Sequence, residues 1–341
     1  MTASAPTSTM RAWQYSITKG GLEKNMKLNP TAPIPQRKDP STQHIVEIFY
    51  SCLNPIDYKP AEGLPSFVVA KPATPGLDFA GRILEAASGS KLKKGQLVFG
   101  CAGLSPLAGA AFADQAIAKD EAVAPVPDGV SASDASTIGV AGLTAYQTIV
   151  PHVKQGDRIF INGGSGGTGV FGIQIAKVKG CHVTTTCSTG NVELCKSIGA
   201  DEVIDYKTSP LLETLKKQKP FDHVVDNVGG DTGLYFEAHH WTTPTAKFIN
   251  VAGMPTVRHF ANTAKIRLWP SFLGGGKRKY MGFFAQPRPD ELAQIATWMK
   301  EGKVKAIVDS KFAMEQAPAA MARLKTGRSK GKVMVEVQPE A

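Results

Sequence analysis

Between Asp157 and Val170 the chain reads DRIFINGGSGGTGV, and the residue types in that stretch suit one kind of chemistry. Gly164, Gly166 and Gly169 stand at G-x-G-x-x-G spacing, with Ser165, Gly167 and Thr168 completing the loop. The apolar run Ile159-Phe160-Ile161 precedes them, and FGIQIAKVKG, apolar at helical spacing, follows. Strand, glycine turn and helix in that order let a backbone touch a pyrophosphate. Glycine removes the Cβ, and the helix N-terminus presents free N–H groups with partial positive charge. A second strand, His182–Cys187, follows at βαβ distance, which gives the fingerprint its context. An Asp or Glu at the end of that strand would hold the ribose 2′-hydroxyl of an unphosphorylated dinucleotide. Here the chain reads Cys187-Ser188-Thr189-Gly190-Asn191, without an acid. The hydroxyls of Ser188 and Thr189, with free N–H groups and Asn191 beside them, can receive a 2′-phosphate that a carboxylate would repel. This favours NADPH, and the same Ser and Thr can also cap the next helix. Tyr206, just after the third strand, is placed to lie against the adenosine ribose.

These residues need a scaffold, and the chain's organisation supplies one. From Arg158 onward, strands (Arg158–Ile161, His182–Cys187, Val203–Asp205, His223–Asp226, Ala246–Val251, Lys279–Phe284) alternate with helices (Gly167–Lys179, Gly190–Ile198, Pro210–Lys217, Thr232–His240). That alternation predicts a doubly wound parallel sheet covered on both faces. Ligands of such sheets bind at the carboxyl ends of the strands, which adds Gly253 after the fifth strand and Phe283-Phe284 after the sixth. Before it, short β-type runs such as Arg11–Ile17, Ile45–Tyr50 and Ala111–Ile117, broken by Pro and Gly, predict a small barrel-like domain. Ser131–Val150 reads as two helices interrupted at Gly139–Gly142. After it come a helix from Arg288, strands at Lys303–Asp309 and Lys332–Val337, and a helix at Gln316–Leu324. The return to β character predicts that both chain ends build the first domain, as 1–130 with 286–341, around a nucleotide domain at 131–285.

The blocks GGSGGTGVFGIQIAK, LCKSIGADEVIDY, VVDNVGG, SCLNPIDYK, PGLDFAGRI, AGLTAYQ and SKGKVMVEV together resemble the medium-chain dehydrogenase/reductase superfamily, and are most similar to its zinc-free quinone oxidoreductase branch. The resemblance implies an α/β fold: a GroES-like β domain formed by both chain ends, with an inserted Rossmann domain. It places Asn54-Pro55-Ile56-Asp57-Tyr58-Lys59 beside the nicotinamide. Asn54 would orient the ribose or the substrate carbonyl, and Tyr58 or Lys59 would donate a hydrogen bond or a proton. The proton donor stays open between these and solvent: many quinone reductases carry a tyrosine five residues after the asparagine, where this chain has Lys59. Tyr58 is equally read as core packing, and Asp57 as a structural acceptor for backbone N–H groups. Thr144, Asn227 and Val228 are implied neighbours of the nicotinamide end, and Lys332 resembles a family Lys or Arg near the cofactor phosphates. Zinc members take ligands from a Cys and a His-Glu pair. Here those positions are Asn54 and Leu77-Asp78, and no four-cysteine lobe is present, so no metal is expected. Without a Lewis acid, the acceptor is expected to be conjugated, a quinone or an α,β-unsaturated carbonyl, where charge spreads through an enolate.

Two other readings remain open: a trans-acting enoyl-thioester reductase of fatty-acid or polyketide synthesis, and a cofactor-binding regulatory or RNA-binding member without turnover. The 341 residues are 42% hydrophobic and 20% charged, with a net charge of +10. The excess of basic residues suits a phosphorylated cofactor. Nucleic acid is disfavoured because the basic residues are dispersed and Lys277-Arg278-Lys279 is a short cluster. No run approaches membrane-span length. Five scattered cysteines suggest reduced thiols and a cytoplasmic location, while the Ser/Thr-rich, acid-poor start leaves an organelle presequence open. The resemblance leans toward a homodimer, and the 258–276 segment is assigned to either the pocket or a subunit partner.

Overall fold

The computed structural model describes residues 9–65, 68–103, 109–251 and 257–340. Gly253 lies outside the described residues. In chain order the elements begin with β1 (Thr9–Gln14), α1 (Leu22–Asn25), β2 (Lys27–Pro33), β3 (Gln43–Leu53), α2 (Lys59–Gly63), β4 (Asp78–Glu85), β5 (Leu97–Cys101), β6 (Gln115–Lys119), β7 (Val123–Pro125) and α3 (Ala132–Ala135). The middle comprises α4 (Gly139–Ile149), β8 (Arg158–Asn162), α5 (Gly167–Val178), β9 (His182–Cys187), α6 (Val192–Ser197), β10 (Glu202–Asp205), α7 (Leu211–Lys216), β11 (Phe221–Asp226), α8 (Thr232–Phe236), β12 (Thr242–Asn250), α9 (Val257–Leu268) and β13 (Lys279–Gly282). The chain ends with α10 (Pro289–Lys300), β14 (Val308–Ala313), α11 (Ala317–Lys325) and β15 (Lys332–Glu336).

Two compact units result. One holds the residues up to Leu143 with Pro287–Gly302 and Ala306–Ala341; the other holds Thr144–Gln286 with Lys303–Lys305. The expected boundary at 130/131 differs from the observed one at 143/144 for a physical reason. Val140 donates its backbone N–H to Asp78 Oδ1 at 2.7 Å, and Ser136 Oγ meets Cys52 Sγ at 3.3 Å. The 131–143 segment is therefore bonded to the β unit.

The β unit is built around β3, whose eleven residues are almost wholly buried. It pairs antiparallel with β4, β6 and β15, so the last strand of the chain completes the first domain's sheet. Trp13 Nε1 donates to Met314 O at 2.7 Å and Arg11 Nη2 to Val337 O at 3.1 Å, tying the two chain ends inside one core. Two expected strands shift. Ala111–Ile117 begins four residues later, because the N–H groups of Ala111 and Phe112 bond Gly76 O and Pro75 O instead of a ladder. Lys303–Asp309 gives way to β14, because the Gln174 amide takes both backbone groups of Lys305, at 2.7 and 3.1 Å.

The second unit is a six-stranded parallel sheet in the order β10-β9-β8-β11-β12-β13. Ile159, Phe160 and Ile161 of β8 are fully buried, as strands covered on both faces require. Phe160, Phe221 and Trp241 meet edge-on or tilted at 5.5 to 6.0 Å between ring centroids and anchor one face. The chain leaves β8 toward β9 on one side and returns to β11 on the other. The sheet order therefore reverses between β8 and β11, the place where open α/β sheets bind ligands. No described helix is long and apolar enough to cross a membrane.

Candidate active site

The glycine loop opens at that reversal point. Gly163, one residue before the fingerprint, makes the turn at φ +83, a left-handed conformation that a side chain would strain. Gly169 has a packing duty: a Cβ there would stand 2.2 Å from Gly163 O, so α5 could not close on the loop. Gly166 caps α5 with no side-chain hydrogen bond, which leaves the first N–H groups of a twelve-residue helix for an anion. Gly164 bonds Thr186 O through its N–H, Gly167 and Thr168 open the helix, and Ser165 Oγ accepts from Asn191 Nδ2 at 2.9 Å. The loop after β9 is thus joined to the loop after β8.

A polar layer across the strand ends holds these loops. Asp226 Oδ1 accepts from Asn162 Nδ2 at 2.8 Å and from the backbone N–H groups of Val228 and Gly229 at 3.0 Å; its Oδ2 accepts from Asn250 Nδ2 at 3.3 Å. Asn162 Oδ1 accepts from Thr186 Oγ1 at 2.6 Å, and Thr186 Oγ1 accepts from Gly163 N at 2.8 Å. β8, β9, β11 and β12 are cross-linked where their side chains would otherwise be unpaired. One group on this rim remains unsatisfied: both polar atoms of the Asn227 amide are buried without a hydrogen-bond partner among the described residues. Such an orphan costs roughly 1–3 kcal/mol. Val228 and Phe284 are exposed on the same rim, and Phe283 donates its backbone N–H to Asn250 O. Ser188 caps a short turn through Asn191, and Thr189 bonds the Asp205 side chain, helping to hold that carboxyl below its usual range. Tyr206 is half exposed, with Lys207 Nζ 5.5 Å from its ring centroid. Lys207, which the sequence analysis did not single out, follows Tyr206, whose backbone N–H bonds Cys187 O at 3.2 Å at the start of the Ser188 loop. Thr144 is buried on α4, its carbonyl accepting from Thr148 Oγ1.

The β unit assembles a second polar cluster. Lys332 is 1% exposed, and its Nζ donates to Asn54 Oδ1 at 2.6 Å and to Asp78 Oδ2 at 3.0 Å. Asn54 Nδ2 donates to Asp78 Oδ2 at 2.7 Å, so the Asn54 amide is occupied at both ends. Lys332 spends its ammonium on these two partners inside the β unit, where the resemblance implied the cofactor phosphates. Asn54 orients the lysine and the aspartate with the groups expected to orient a ribose or carbonyl. Asp57 caps the turn by accepting from Asn54 N at 2.6 Å. Burial, with the charge of Asp78 adding to it, pushes the Asp57 carboxyl up to about 7, although the Asn54 N–H and Lys332 pull the other way. Tyr58 packs against the core, Lys325 Nζ lies 5.5 Å from its ring centroid, and burial raises its phenol. Lys59 is partly buried, makes no hydrogen bond or ion pair among the described residues, and has its ammonium pKa lowered by burial.

A doubly wound parallel sheet with a glycine loop at its reversal point, in one chain with a β unit made from both chain ends, defines a nucleotide-dependent dehydrogenase fold. The comparisons agree. Residues 40–128 match the alcohol dehydrogenase GroES-like domain, and 198–335 match the zinc-binding dehydrogenase domain. The chain is 44% identical to trans-enoyl reductase pgmF of Aspergillus terreus over 98% of both chains. It is 32% identical to the chloroplast envelope quinone oxidoreductase homolog of Arabidopsis thaliana, over 96% of this chain and 98% of that one. The quinone oxidoreductase of Coxiella burnetii superposes with a TM-score of 0.83 at 28% identity, over 97% of this chain and all of the other. The chain belongs to the medium-chain dehydrogenase/reductase superfamily of oxidoreductases, in its quinone oxidoreductase-like branch.

Two outcomes are expected from the β-unit cluster. Lys332→Met leaves Asp78 charged and buried, and should cost about 3–5 kcal/mol, read as a lowered urea midpoint. Adding Asp78→Asn to that variant should recover part of the loss; no recovery would show that the Met substitution acts by packing alone. Asp57 binds its proton more tightly folded than unfolded, so its contribution to stability is full below its ordinary pKa of 3.8 and is lost as pH rises toward about 7. Asp57→Asn should flatten the thermal-midpoint profile across that window, and an unchanged slope would contradict the assignment.

Proposed function

We propose that the chain is an NADPH-dependent reductase of carbon–carbon double bonds conjugated to a carbonyl, enoyl thioesters included, and that it works without zinc. The observation that carries the proposal is the donor set around Asp78. Zinc members of the superfamily use a Cys and a His-Glu pair where this chain has Asn54 and Leu77-Asp78. Leu77 has no donor atom, and the Lys332 ammonium already neutralises Asp78. Cys52 Sγ already meets Ser136 Oγ at 3.3 Å, and burial pushes its thiol up to about 12. These residues do not fit a dication.

The nucleotide unit does fit a dinucleotide: the open N-terminus of α5 and the loop N–H groups suit a pyrophosphate, and the Asn227 amide suits a carboxamide. Bound there, the nicotinamide supplies a hydride. Ser188, the loop amides and Lys207 suit a 2′-phosphate. Saturating a conjugated double bond creates an enolate that needs one proton, and Lys59 is the group best suited to give it. Its lowered pKa makes it a better acid than an ordinary lysine, whereas the raised pKa of Tyr58 makes a worse one. The enoyl reading rests on the greater identity to an enoyl reductase; quinone is the second reading, supported by the quinone oxidoreductase relatives.

The direct test follows NADPH and NADH oxidation with crotonyl thioesters, simple enones and benzoquinones; absence of turnover on all of them would refute the proposal. Ser188→Asp with Lys207→Ala should raise KM for NADPH by about tenfold or more, the worth of roughly 1.4 kcal/mol of lost charge-assisted bonding. An unchanged NADPH-to-NADH ratio would remove these residues from the phosphate site. Lys59→Met should lower kcat about 10²-fold and abolish the fall in kcat at alkaline pH. A profile identical to wild type would hand protonation to solvent.

A further inference from the structure

The two faces of the parallel sheet carry different residue types. Phe160, Val224, Phe248 and Tyr280 stand side by side on β8, β11, β12 and β13 and belong to the aromatic core of one face. One residue earlier, on the other face, the same register sets Ile159 beside His223, His223 beside Lys247 and Lys247 beside Lys279. Neighbouring strands lie about 4.8 Å apart, so three nitrogen-bearing side chains share one row. His152, in the turn after α4, joins them: its ring centroid lies 5.5 Å from that of His223, and its Nδ1 lies 3.2 Å from Lys247 Nζ. Burial falls along the row, from the fully buried His223 through the partly buried Lys247 to the exposed Lys279, so the row opens to water at one end. The reduction does not use it. Three residues of β11 separate His223 from Asp226 at the loop-bearing rim, about 10 Å of strand.

The partners fix the hydrogen-bond roles. Thr148 O can only accept, so His223 Nε2 carries the ring proton in the 2.6 Å bond between them. Its Nδ1 is then a bare lone pair, buried and without a hydrogen-bond partner among the described residues. The Lys247 ammonium can only donate, so His152 Nδ1 accepts from it and that ring is neutral as well. Burial lowers the pKa of both rings, and neighbouring cations add to it: His152 and Lys247 at His223, Lys247 and Lys279 at His152; the bond to Thr148 O pulls His223 the other way. Neither Lys247 nor Lys279 makes an ion pair among the described residues. Asp222, the acid next to His223 in the chain, accepts from Arg158 N at 2.9 Å.

A ligand for this row must bring negative charge for two ammonium groups and a proton for one bare imidazole nitrogen. Carboxylate, sulfate and halide ions bring the charge without the proton, and a metal cation meets the lone pair but is repelled by both lysines. A phosphate group that keeps one O–H brings both. We propose that His152, His223, Lys247 and Lys279 form a phosphate site on the α4 face of the sheet, separate from the dinucleotide loop. His152 holds the Lys247 ammonium, the two lysines take anionic oxygens, and His223 Nδ1 accepts from the remaining P–O–H. Inorganic phosphate keeps that hydroxyl at neutral pH, whereas a phosphate monoester keeps it only below about pH 6.

The test titrates the full chain, carrying nitrogen-15-labelled histidine, with inorganic phosphate and with sulfate at matched ionic strength. A bare imidazole nitrogen resonates far downfield of a protonated one, and loss of one such peak in His223→Gln assigns it. The His223 Nδ1 peak should move upfield saturably with phosphate and stay in place with sulfate. Lys247→Met should raise the apparent Kd about tenfold or more, and Lys279→Ser, at an exposed position, about threefold or more. Glycerol phosphate should bind at about pH 5.5 and lose most of its affinity at about pH 7.5, where inorganic phosphate still binds. A peak that ignores phosphate, that moves equally with sulfate, or that titrates identically in Lys247→Met overturns the proposal. So does glycerol phosphate binding equally at both pH values, because no proton would then be donated. Phosphate that raises the thermal midpoint while leaving this peak unmoved would be held by the glycine loop, and would overturn it too.

Discussion

Lys332 is a full charge placed where water cannot reach it, and the β unit is arranged to make that possible. Moving an ammonium and a carboxylate out of water costs several kcal/mol each, and only close, well-directed contacts repay it. The chain provides them from three distant places: Asn54 at the end of β3, Asp78 at the start of β4 and Lys332 at the start of β15. The start of α4 adds a fourth, the Val140 N–H on Asp78. The central strand, its neighbour, the returning C-terminal strand and the connecting helix are thereby pinned to one point. The turn that carries Tyr58 and Lys59 leaves directly from Asn54, so the position of those side chains depends on the same point.

The nucleotide unit solves a different problem with similar means. Parallel strands end abruptly under ligand-binding loops, and their last polar groups must find partners that keep the loops open. Asp226, Asn162 and Thr186 do this by bonding one another and the loop backbones, which fixes the turn at Gly163 and the 227–229 loop together. Among the described residues of this rim, the Asn227 amide is left without a hydrogen-bond partner. Loops held by such bonds around an open donor and acceptor are what pre-organised binding requires.

Legibility in the sequence followed the range of the interactions. The glycine loop, the acid-free end of β9 and the βα alternation are local patterns, and the strand at His182–Cys187 and the helix following Gly167 stand where the residue types put them. β14 was misplaced because a single glutamine, Gln174, captured the backbone of Lys305, 131 positions away. The row of His223, Lys247 and Lys279 has no signature in the chain because three separate strands contribute one residue each, and only the sheet register sets them side by side.

By itself the sequence determined the two-part architecture, the dinucleotide loop and the absence of zinc-type ligands at Asn54 and Leu77, because glycine spacing, hydrophobic period and donor atoms are properties of residues in a row. Only the tertiary structure decided what occupies the place of those ligands. Asn54 and Lys332 are 278 positions apart, and no local pattern pairs them. Their meeting depends on the last strand pairing with β3, and on a buried aspartate that makes the position untenable without a cation. The same folding pairs Lys332 with Asn54 and Asp78, and leaves Lys59 a half-buried cation without a hydrogen bond or ion pair among the described residues.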